Sequence, residues 1–77
     1  MEAILKFNLP EDYPEFEMAT KGSNMHSALW EIDQWLRGRI KYAPDEMSEE
    51  AYKAFEECRE KLREIIYDNG VNLDLDI

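Results

Sequence analysis

The spacing of hydrophobic positions in this chain changes period twice. Ala3, Leu5, Phe7 and Leu9 alternate with Ile4, Lys6 and Asn8, which predicts a strand over Glu2 to Leu9, closed by Pro10. The next segment, Glu11 to Lys21, reads as a short helix with Glu11, Asp12, Glu15 and Glu17 crowded at its beginning, where the helix dipole favours negative charge. Pro14 is tolerable in its first turn, Phe16, Met18 and Ala19 supply its apolar contacts, and Gly22 serves as its stop. Ser23 or Asn24 then caps a long helix on which Met25, Leu29, Ile32, Leu36 and Ile40 recur at spacings of three and four. It is expected to end by Tyr42 to Ala43, because Pro44 restricts the residue before it.

A third helix, capped by Ser48 or by Asp45, is expected to run to about Asp68 with a stripe of Ala51, Phe55, Cys58, Leu62, Ile65 and Ile66. Glu49 with Lys53 and Glu57 with Lys61 form four-residue charge pairs on its exposed side. Asn69-Gly70 is a stop signal, and Val71 to Ile77 alternates strictly, which predicts a closing strand. The expected fold class is therefore α+β, in the order β-α-α-α-β, with two long antiparallel helices packed on a small two-stranded sheet. Two strands alone make a marginal sheet, so a free edge is open to completion by oligomerisation. One domain spans residues 1–77, with no repeat or linker.

Composition sharpens this picture in three ways. Seventy-seven residues lie near the lower limit of what folds alone, which favours a homo-oligomer. A net charge of −9, from 18 acidic and 9 basic residues, argues against duplex nucleic acid as a partner and favours a basic protein. Cys58 has no second cysteine to bond and falls on an apolar stripe, which suggests a buried thiol in a reduced, intracellular protein. No apolar run approaches membrane-spanning length and no signal pattern opens the chain, so a cytoplasmic location is expected.

The usual materials of catalysis are sparse. His26 is the only histidine, with no second soft ligand at metal spacing, and no phosphate-cradling glycine loop or activated nucleophile is present. No metal, no cofactor and no enzymatic activity are expected. The remaining signal is a pair of helical stripes that mix aromatic and cationic residues. Trp30 shares a face with Gln34, Arg37 and Lys41, with Arg39 close by in sequence, and the third helix carries Tyr52, Arg59 and Arg63 beside its apolar stripe. If the stripes meet, Trp30, Arg37, Arg39, Lys41, Tyr52, Arg59 and Arg63 build a ligand-binding site with flat faces for a base and donors for phosphates. The plainer alternative pairs Arg37 with Asp33, and Arg59 and Arg63 with Glu56, Glu60 or neighbouring acids, as solvated salt bridges, while Trp30 packs under its own chain.

The segments LPED-x-x-EF at Leu9 to Phe16 and LWEIDQWLR at Leu29 to Arg37, with the ending YDNGVNLDLDI, resemble small accessory proteins encoded by tailed bacteriophages. The resemblance covers nearly the whole chain and carries no catalytic residues. It implies expression in the host bacterial cytoplasm and a counter-defence role, exerted by blocking a host component or by sequestering a nucleotide-derived immune signal. The expected partner is accordingly a nucleotide-derived small molecule held in an oligomer. The alternatives are a basic host protein, met by an acidic inhibitor that mimics nucleic acid, and a small structural or regulatory phage role.

Overall fold

A computed structural model describes residues 1–74 as three helices: α1 (Tyr13–Thr20), α2 (Gly22–Lys41) and α3 (Glu49–Asp68). No strand occurs among the described residues, so the α+β expectation of two helices on a two-stranded sheet is overturned. Residues 2–9 do alternate, but a strand needs a neighbour to receive its backbone hydrogen bonds. The segment instead leads into a turn in which Asn8 N–H donates to Asp12 Oδ2 and Asp12 N–H donates back to the Asn8 carbonyl, at 2.9 and 2.8 Å. Phe7 packs edge-on against Phe16 of α1. Of the expected closing strand, residues 71–74 form a loop and turn held by Asp74 N–H donating to Asn72 Oδ1, and residues 75–77 lie outside the described residues.

The helices follow from local signals with two shifts. Gly22 does not stop a helix but begins one, and Lys21 forms a bend where α1 hands over to α2 with no side-chain cap at Ser23 or Asn24. The third helix starts as expected: Ser48 Oγ accepts from Ala51 N–H at 3.1 Å, and Glu49 and Glu50 occupy the first turn. It ends at Asn69 and Gly70, where Gly70 takes φ 72°, a left-handed conformation that costs glycine nothing. On its surface Lys61 pairs with Glu64 rather than with Glu57.

Contacts between α2 and α3 run Trp35 to Phe55, then Asp33 to Arg59, with His26 reaching Asn72 beyond the end of α3. One number falls as the other rises, so α2 and α3 form an antiparallel hairpin. Its dry centre is small: among the described residues, the buried apolar side chains are Leu36, Ile66 and Leu73. The molecule measures 55 × 28 × 19 Å with a radius of gyration of 17.4 Å, against about 11 Å for a compact domain of this length. Cys58, expected to be buried, is exposed. A stripe of six apolar positions on α3 is wider than a single neighbouring helix can cover.

Candidate functional site

The centre of the hairpin is ionic. Asp33 has no accessible surface, and Arg59 Nε donates to its Oδ1 at 3.1 Å while Arg59 NH2 donates to Oδ2 at 3.3 Å. Arg63 NH1 adds a third bond to Oδ2 at 2.9 Å, and its NH2 donates to Asp74 at 3.0 Å. Gln34 Nε2 completes the set at 3.3 Å. The guanidinium-bearing side chains are 29% and 38% exposed, so two partly wet cations cover one dry carboxylate. Burial alone would push the Asp33 carboxyl up. The hydrogen bond and charge of Arg59, joined by the charge and hydrogen bond of Arg63, outweigh it and hold the group below its ordinary value.

Geometry explains why both arginines choose Asp33. Asp33 lies beside Leu29, Leu36 and Ile40 on the face that meets α3, and Arg59 and Arg63 lie beside Phe55 and Ile66 on the face that meets α2. A charge in that position cannot remain unpaired. The tail then locks over the same side: the Asn72 carbonyl accepts from His26 Nε2 at 2.8 Å, and Leu73 is buried. A carbonyl can only accept, so that histidine nitrogen carries the proton.

The seven candidate residues are not brought together. Arg59 and Arg63 are engaged by the buried acid, and Tyr52 is half-buried on α3. Arg39 lies 5.2 Å from the Trp35 ring and 5.7 Å from the Phe55 ring, on the flank of the hairpin away from Arg63. Trp30 is 46% exposed, with Arg37 and Lys41 exposed on its face of α2. Lys41 sits over the ring of Tyr42 at 5.5 Å, and Arg37 makes no ion pair among the described residues. The expected Arg37–Asp33 pair is therefore absent, and so are the pairs of Arg59 and Arg63 with Glu56 and Glu60. Sequence reasoning missed Asp33 as the organising acid, although an acidic residue at the margin of one apolar stripe facing two bases at the margin of another was its available signal.

An open cavity of about 900 Å³ lies between the last turns of α3 and residues 70–74, rimmed by Glu60, Glu64, Asp68 and Asp74 with Tyr67. Among the described residues no three His, Cys, Asp or Glu side chains gather as metal ligands, and no helix is long and apolar enough to cross a membrane. Compared with family models, curated proteins and solved structures, the chain matches none.

Proposed function

We propose that this is a non-enzymatic binding protein that works as a homo-oligomer and holds a nucleotide-derived anion against the Trp30, Arg37 and Lys41 face of α2. The observation that carries the reading is that Asp33, the acid four residues before Arg37, is spent on Arg59 and Arg63. Arg37 is thereby left cationic beside a half-exposed indole in a chain whose net charge is −9. An indole face and a guanidinium suit a planar base and a phosphate respectively. Arg39, Tyr52, Arg59 and Arg63 have no part in this narrower site. The counter-defence setting comes from the resemblance to bacteriophage accessory proteins, where capture of a nucleotide signal needs binding without turnover.

Native mass spectrometry with a panel of cyclic and ADP-ribose-type nucleotides tests the reading. The protein should retain one class of nucleotide through dilution, and Trp30→Ala with Arg37→Ala should weaken retention about tenfold or more, from loss of stacking and a charged hydrogen bond. Retention of none of the panel overturns it. The second reading, an acidic inhibitor of a basic host protein, draws on the four carboxylates around the open cavity. In that case Glu60→Lys with Glu64→Lys abolishes binding to the basic partner, whereas the Trp30 and Arg37 changes do not.

A further inference from the structure

The hairpin has two unlike flanks. At 100° per residue, Met25, Ile32 and Trp35 fall on one side of the α2 line that meets α3, and Trp30, Arg37 and Lys41 fall on the other. On α3, Cys58, Leu62 and Ile65 fall on one side of the line through Arg59 and Ile66, and Arg63 and Tyr67 fall on the other. The contacts show how these sides combine. Trp35 meets Phe55 on the first flank, whereas Asp33 meets Arg63 on the second, where the tail also lies. The first flank is therefore continuous across both helices and uncovered by the described chain. Ile32 is 49% exposed, Trp35 56% and Ile65 50%, with Cys58 exposed between them. Its one internal charge is Arg39, laid over Trp35.

We infer that a second copy of this chain covers that flank, so that Ile32, Trp35, Cys58, Leu62 and Ile65 of two hairpins form the core of a four-helix bundle. The inference rests on the homo-oligomer half of the proposed function and assigns its interface. Surface area argues for it first. The chain exposes 6805 Å², whereas a compact monomer of its mass exposes about 4,900 Å². The excess is roughly 1,900 Å² per copy, and part of it belongs to the N-terminal arm, where Ile4, Leu5 and Leu9 are also exposed. An obligate homodimer buries about 2,000 Å² or more in total, roughly 1,000 Å² from each copy, which the excess supplies with the arm left over.

Charge argues for it second. Glu31 borders the flank on α2 and Lys61 borders it on α3, at the same height in the antiparallel pair, because Asp33 and Arg59 are opposite each other. A two-fold axis parallel to the helices sets each α2 beside an α3 of the other copy and brings Glu31 to Lys61 at both rims. Every neighbouring helix pair is then antiparallel, and the remaining acids of both copies face outward. Repulsion between two such acidic chains is screened over about 8 Å at physiological ionic strength, which the nearly uncharged interface requires.

Sedimentation equilibrium of the nucleotide-free full chain at tens of micromolar, with thiol labelling of Cys58, tests the inference. The expected mass is twice 9.2 kDa, with Cys58 labelling that slows as protein concentration rises. Ile32→Glu and Ile65→Lys should each weaken association on the order of a hundredfold or more, because each buries an unpaired charge. Trp30→Glu, on the opposite flank, should leave the mass unchanged. If the two flank variants unfold, the concentration dependence of Cys58 labelling in the unaltered protein decides alone. A helical monomer of 9.2 kDa overturns the inference, as does an assembly other than a dimer, or a dimer in which Cys58 labels at a concentration-independent rate. Because no nucleotide is present, failure here is separate from failure of ligand capture at Trp30.

Discussion

On one flank of the hairpin Asp33 gathers Arg59, Arg63 and, through Arg63, Asp74, and the chain's own tail closes over the group. On the other flank Ile32, Trp35 and Ile65 are half-exposed side by side. The contrast separates what fixes the hairpin from what stabilises it. Salt bridges specify which residue of α2 faces which residue of α3, since no other acid lies on that line. They contribute less net stability than apolar packing of the same volume, because taking charges from water costs about as much as their attraction returns. Among the described residues, three buried apolar side chains give on the order of 5 to 9 kcal/mol before chain entropy is counted, too little to order those residues alone. The apolar flank is where the missing burial is available.

The most forceful way to break the contrast is to remove the acid. Asp33→Ala leaves two arginines facing an apolar seam, and stability should fall by about 3 kcal/mol at fixed protein concentration in urea denaturation. The two guanidinium groups are partly exposed and can turn to water, which sets the loss at the lower end of that for a broken buried pair. A loss below about 1 kcal/mol would reduce the cluster to an incidental surface network.

A milder perturbation titrates the same group. Burial raises the Asp33 pKa, but Arg59 and Arg63 together lower it below its ordinary 3.8. A carboxyl whose folded pKa is depressed contributes stability that is complete above the unfolded value and is lost as pH falls through the folded one. The difference in stability between the natural protein and Asp33→Asn should therefore be constant above about pH 5 and shrink below about pH 4. A difference that stayed constant down to about pH 2 would show that the arginines do not sense the carboxyl's charge.

How much of this was legible depends on the range of the interaction. Ser48 and Gly70 were readable because a cap and a left-handed glycine are settled by a few adjacent residues. The two strands were misread because alternation records a face, whereas a strand also needs a partner elsewhere in the chain, and the tail is instead tied to His26 and Arg63. Gly22 was misread as a stop because the bend falls at Lys21, with ordinary backbone angles. At the site, Arg37 offered Asp33 a local partner at four residues, and the true partners lie 26 and 30 residues away. Stripe membership predicted burial of Cys58, but the sheet that was expected to cover the stripe does not form among the described residues, and the thiol is exposed.

The smallest effect concerns the back of α2, which belongs to neither flank. Gly38 lies within the helix, and a Cβ placed there meets nothing within 4 Å. Its φ is not positive, so alanine fits the existing backbone without strain. Glycine in a helix interior loses more conformational freedom on folding than alanine does, and Gly38→Ala should raise stability by about 0.5 to 1 kcal/mol. Neither the Asp33 cluster nor the mass in solution should change, because the new methyl meets nothing within 4 Å. Thermal unfolding at constant concentration checks the gain. A loss instead would mean that another surface approaches the back of α2 closely, and the half-exposed apolar flank would then not be the side on which the hairpin is covered.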